Sequence, residues 1–347
     1  MLEIYEIYNN ISNGYKYIEK LKIIQEVNKH NFKSALSNSI YFPREIQRYI
    51  ESNLNQMMTY KAIINGKNII LNFYTNKNSG KDVIEKDIIH KTFVIIYVLS
   101  LYSSNRCSNN LTINIFLTPF KRMLPKKATD IIGSINVNGG LTYGGCRHTN
   151  DITIYREEEW FKVLIHELFH AFNLDFATMR IDKFKKRIAT KMGIPCDYNV
   201  YESYCETWAR ILNVAMNSMT ELTTKNEFLS EFNVMIKAEQ FFSVIQCNKI
   251  YKRIKNLRSP LMYKENSNVI CYYIFVGALM NNYEIFLKWC SNNNIALLKF
   301  DNTFKNVGSF SNLLLKQFNS KELRENLKIV DEIELGELKN SLKMTLM

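Results

Sequence analysis

The chain has 347 residues, 46% of them hydrophobic and 22% charged, enough to build a sizeable core in one large domain or two ordinary ones. Its net charge of +12 is spread along the chain, with modest concentrations at Arg180–Lys191 and Lys249–Arg258 and no nucleic-acid motif beside them, so nucleic acid is not an expected partner. Seven widely spaced cysteines without a CxxC pair read as reduced thiols, the N-terminal residues carry no secretory signal, and the most apolar run, Val269–Met280, is short of a membrane span. An intracellular, non-membrane protein is expected.

Residues 1–55 read as helical. Tyr17–His30 has apolar residues near helical spacing, and Pro43 suits the first turn of a helix running to about Met57. Tyr60–Ile64 and Asn68–Phe73 flank Asn65-Gly66, a pair suited to positive φ, and so predict a hairpin. Asp82–Leu101 follows as a long apolar helix, and Leu111–Leu117 alternates as a strand. Ile135–Tyr143 reads as a short strand running into the Gly139-Gly140 turn, and Asp151–Arg156 as another strand. Glu157–Glu159 then opens a helix where acidic residues suit the dipole. Beyond it the chain reads as helical over 178–192, 197–217, 224–246, 268–293 and 310–345. The expected class is α+β, divided into a mixed α/β part (1–176) and an α-helical part (177–347), with the functional residues at the junction.

Those residues lie in Val163–Phe172. His166 and His170 stand four apart, on one face of a helix, and both can point at one metal ion. Neutral imidazole is a good zinc ligand, and a catalytic zinc keeps three protein ligands and one open position. Glu167 is placed to activate a water on that ion and pass its proton to a leaving amine. Apolar flanks imply a buried helix, where His166 and Glu167 need a partner. A metzincin would need Gly at 173 and His or Asp at 176; Asn173 and Phe176 exclude that branch. The remaining source of a third ligand is Tyr201–Arg210, which carries Glu202 and Glu206 on one helical face. His148, Tyr198, Tyr201 and Tyr204 are candidates to stabilise an oxyanion, and Arg147 belongs to the same loop as His148.

This layout resembles the gluzincins, in which a helix downstream of HExxH supplies a glutamate ligand. Glu206, with Trp208 and Ala209 after it, is similar to the Glu-x-aromatic-Ala ligand motif of several members and is the favoured ligand. Glu202, with an acid at +4, is similar to members where that second acid orients a ligand histidine; it is expected beside the ligands or as the alternative ligand. The resemblance implies a zincin-like fold in which an exposed edge strand binds the substrate backbone, with Val137–Tyr143 the candidate strand and Gly139 and Gly140 allowing close approach. Over about 135–215, Arg156-x-Glu158-Glu159-Trp160-x-Lys162-Val163-x-Ile165-His166-Glu167 with Glu206-x-Trp208-Ala209 resembles the HExxH metallopeptidases of large nucleocytoplasmic DNA viruses. The implied activity is zinc-dependent endopeptidase, with one Zn²⁺ held by His166, His170 and Glu206, Glu167 as base and then acid, and a protein or peptide as substrate. The alternative is a zinc-containing structural or interaction protein, such as a virion component, that keeps the fold without proteolysis.

Overall fold

In the computed structural model, which describes residues 2–29, 38–76 and 84–347, the fold is built on one sheet whose last edge strand lies over the helix carrying the two histidines. Helix α1 (Leu2–Glu19) is followed by strand β1 (Ile24–Lys29), so the helix expected over 17–30 is corrected. Val27 lies in that strand 58% exposed, the position of an edge residue and not of a helix core. Helix α2 (Arg44–Asn53) starts directly after Pro43 but ends short of the expected Met57, which lies in the next strand. Strands β2 (Gln56–Ile64) and β3 (Lys67–Thr75) form the hairpin, with Asn65 and Gly66 both at positive φ. Helix α3 (Lys86–Ser100) fills most of the predicted apolar helix; Asp82 and His30, at the ends of two expected helices, lie outside the described residues.

Strand β4 (Asn110–Phe116) precedes a short turn of helix, α4 (Ser134–Val137), where a strand was expected. Only β5 (Gly140–Thr142) of that stretch is extended, and β6 (Thr149–Ile154) follows. The sheet order is β1-β2-β3-β4-β6-β5: β3, β4 and β6 run parallel, and β5 returns antiparallel along β6 as the edge. Alternation divides the strands between two faces. Phe73, Ile115 and Ile154 join the main core, whereas Tyr74, Phe116 and Leu141 pack with Ile46 and Ile50 of α2 on the other face.

Helix α5 (Trp160–Ala171) carries the motif under β5 and β6. Leu164, Ile165, Leu168 and Phe169 are fully buried. At about 1.5–3 kcal/mol each, their burial is what sets the three polar motif residues inside the protein. Helices α6 (Asp182–Met192), α7 (Val200–Asn217) and α8 (Lys225–Lys255) follow, and α7 packs directly on α5. The helix expected over 268–293 is interrupted. A π-helical turn, Ile270–Phe275, runs into α9 (Val276–Met280), and α10 (Tyr283–Asn293) leaves at 96°. Helices α11 (Phe304–Phe318) and α12 (Lys321–Asp331) precede a tail that returns to the start of α5. No single helix among the described residues is long and apolar enough to cross a membrane. One buried cluster runs from Ile4 to Met344 and takes residues from both sides of 176.

The seven cysteines are not all free thiols: Cys107 and Cys146 form a disulfide. They are 39 residues apart in sequence, but the parallel pairing of β4 with β6 brings together the turns that precede these two strands. Cys196, Cys205, Cys247, Cys271 and Cys290 are free.

Candidate metal centre

The end of α5 explains how its histidines are held. The helix closes with Asn173 at φ 54°, Leu174 N–H donating to Phe169 O, and Asn173 N–H donating to His170 O, the paired bonds of a Schellman turn. The chain is thereby folded back so that Asp175, fully buried, meets Nδ1 of His170. The Cys205 thiol donates to the same carboxylate at 3.3 Å. On His166, Nδ1 lies 3.1 Å from Glu206 Oε2, an ion-pair contact without straight hydrogen-bond geometry. Each imidazole thus has a carboxylate on its Nδ1 side, which favours the tautomer with a free lone pair on Nε2.

The two Nε2 atoms face each other at 3.2 Å. Oε2 of Glu202 completes a triangle, 3.1 Å from Nε2 of His166 and 3.5 Å from Nε2 of His170. Three donor atoms at tetrahedral angles around zinc, with bonds of about 2.0–2.1 Å, stand about 3.4 Å apart. The donor set therefore fits a zinc ion. Unlike charges and lone pairs also explain the ionisation of the group. Burial disfavours the charged form of His166, but Glu202 and Glu206 outweigh it and its pKa is raised. His170 is raised well above its ordinary value against the same burial, through Cys205 and Asp175. Burial alone would raise Glu202, yet its contacts with the two histidines hold it far below the usual carboxylate range.

Glu206, expected to complete the set, faces elsewhere. Both its oxygens accept from Lys162 Nζ at 2.9 Å, and Oε1 also accepts from Arg210 Nε at 3.1 Å. Lys162 counters the burial penalty, with His166 and Arg210 adding to it, and Glu206 is held well below the ordinary range. It touches only the Nδ1 side of His166, so the geometry does not meet the expectation that it groups with the histidines. One helical turn separates the two glutamates, and that turn selects opposite sides of one imidazole.

Glu167 lines the cleft beside His166, together with Gly140, Thr142, Tyr201 and Tyr272. Burial raises its pKa, with His166 and His170 pulling the other way. At Gly140 a Cβ would stand 2.8 Å from Val163 Cγ1 and 3.3 Å from Glu167 Cγ; at Gly139 it would meet Arg122 Nη2 at 2.2 Å. These two glycines let β5 approach α5 closely, at the edge of the sheet.

The expected oxyanion candidates are scattered. His148 lies by Asn109 and Asn110, away from the cleft; Tyr198 donates to Ile194 O; Tyr204 is packed among Phe169, Phe300 and Phe310. Arg147 stacks on Tyr143. Only Tyr201 reaches the site, its ring 6.1 Å from that of His170. The sequence reading missed Tyr272, which donates to Glu202 Oε2 at 3.1 Å from the π-helical turn. One tyrosine among 20 within an apolar run carries no signal of this, and π-helical turns are themselves common at functional sites. Asp175 was also missed, although an acid five residues after His170, just past a helix-stopping Asn, is a legible sign. Neither a family model, nor a curated protein, nor a solved structure matches the chain.

Proposed function

We propose that this chain is a zinc-dependent endopeptidase of the gluzincin type, similar to the HExxH metallopeptidases of large nucleocytoplasmic DNA viruses, in which His166, His170 and Glu202 hold the metal. The observation that carries the reading is the convergence of two Nε2 atoms and one carboxylate oxygen within 3.1–3.5 Å, beside Glu167 and under a sheet edge. Glu202 thus takes the ligand role first expected of Glu206, and Glu206 orients His166. An antiparallel edge strand above the motif helix agrees with a zincin-like fold.

Zinc bound there would supply Lewis acidity, lowering the pKa of a water and polarising a peptide carbonyl. The protein's own groups do the rest. Glu167 takes the proton of the attacking water as the C–O bond forms, then delivers it to the amide nitrogen as the C–N bond breaks. Its burial keeps its basicity above that of a surface carboxylate. Tyr272, kept neutral by burial and by Glu202, is a donor that can turn to the oxygen developing charge. The outer edge of β5, unpaired among the described residues, offers backbone groups to an extended peptide.

Among the described residues the converging set has three protein donors, whereas a closed structural zinc site takes four, which favours catalysis over a purely structural metal. The test is Glu167→Gln with zinc content and peptide cleavage measured together. Retained zinc with cleavage reduced by about 10²–10⁴-fold is expected. Cleavage at the wild-type rate would refute the reading.

A further inference from the structure

Beside the metal triangle, a second and much smaller recess opens off the cleft. It shares Asn138, Gly140, His166, Glu167 and Tyr272 with the cleft and is lined further by Lys162, Arg122 and Met344. Its volume is about 30 Å³. A single water needs about 10–15 Å³, so a recess of this size suits a small side chain.

The lining is charged, and its two cations, Lys162 and Arg122, are both engaged. Lys162 Nζ is 2.9 Å from both oxygens of Glu206, and 3.4 Å from the Met344 sulfur. Arg122 Nη1 is 2.5 Å from Glu159 Oε2, and its Nε donates to Val137 O at 2.6 Å. An acidic side chain entering here would find each cation already engaged and would give up its own hydration. Nor can the wall withdraw cheaply. The Met344 N–H donates to Glu159 Oε1 at 2.7 Å, and the neighbouring Thr345 N–H and hydroxyl are tied to Glu159 and Glu239.

We propose, resting on the peptidase reading, that this recess takes the side chain of a substrate residue next to the scissile bond and admits only Gly, Ala or Ser. Met344, presented by the tail, is the residue that sets this limit. The fixed Lys162–Glu206 pair gives the floor its shape and a polar surface that a small hydroxyl tolerates and a branched alkyl group does not.

The experiment uses the full-length, zinc-loaded chain. A peptide mixture digested and read by mass spectrometry locates the cleavage sites; a series from one cleaved peptide then varies the flanking residue through Gly, Ala, Ser, Leu, Phe and Asp. Expected is a kcat/KM for Ala at least tenfold above that for Leu or Phe, within the range of about 10–200-fold that a few methylenes command. Dissociation constants of the same peptides on Glu167→Gln protein should follow the same order. Met344→Ala should raise the Leu peptide about tenfold relative to Ala, whereas Met344→Leu, which keeps the wall, should leave the preference intact; thermal unfolding checks that both variants fold. Cleavage of Leu, Phe or Asp peptides as fast as Ala overturns the proposal while leaving the peptidase reading standing. Neither cleavage nor binding of any peptide overturns both.

Discussion

The two sides of the histidine pair are built on opposite principles. On the Nδ1 side each charge has a counter-charge: Glu206 with Lys162 and Arg210, and Asp175 with His170 and the Cys205 thiol. On the Nε2 side the two ring nitrogens and the Glu202 carboxylate are aimed at one point, with Tyr272 and Asn268 donating to Glu202 from outside. A buried network that is fully paired rigidifies; a buried cluster of acceptors without a cation between them costs free energy. The Nδ1 contacts hold the rings still, with their Nε2 atoms facing each other and Glu202. Two glutamates one turn apart on α7 thus meet opposite sides of one ring, although both are carboxylates in reach of His166.

The largest way to break this division is to unbalance the paired side. Glu206→Gln leaves Lys162 and Arg210 buried without their carboxylate, and a loss of about 3–5 kcal/mol in unfolding free energy is expected by denaturant titration of the metal-free protein. A change below about 1 kcal/mol would show that the pair does not carry the network. On the unpaired side, Tyr272→Phe removes one donor without removing a metal ligand. Zinc should stay bound while kcat falls by about 10²–10³-fold; an unchanged kcat would leave Tyr272 as packing.

A smaller effect is expected where the two sides meet. Asp175→Asn keeps the shape of the contact with His170 but weakens its hold on the ring, and zinc affinity should fall by about 10–100-fold in a competition titration with a chelator. The smallest effect is a pH dependence near the turn that carries Tyr272. Glu265 accepts from Tyr263 and from Ile270 N–H at the start of that turn, and burial, against those bonds, raises its pKa to about 8. The folded protein therefore keeps a proton that the unfolded chain releases above its ordinary value of about 4.5, so stability falls as pH rises through that window. Glu265→Gln should remove a decline on the order of 1 kcal/mol per pH unit between pH 5 and 7 in metal-free samples. Parallel curves for the two proteins would show that Glu265 does not titrate in that range.

How far the sequence carried this picture depends on the range of each interaction. The hairpin at Asn65-Gly66 and the burial of α5 were legible because φ preference and apolar spacing act within a few residues. Strand β1 was misread as helix because its pairing with β2, which decides it, is remote in sequence. His166, Glu167 and His170 were readable as one group from a single helical period. The placement of Glu202 and Glu206 around His166 was not, because both lie on the same face of α7. What separates them is Lys162, 44 residues before Glu206, and the pivot of two helices about one imidazole ring. Tyr272 and the Cys107–Cys146 bridge belong to the same class of contacts, set by how elements pack.

The most direct measurement is metal content and zinc affinity of the wild type beside Glu202→Gln and Glu206→Gln, each confirmed as folded by circular dichroism. One zinc per wild-type chain, retained with weakened affinity in Glu206→Gln and lost in Glu202→Gln, is the predicted result. Zinc retained in Glu202→Gln and lost in Glu206→Gln would contradict it.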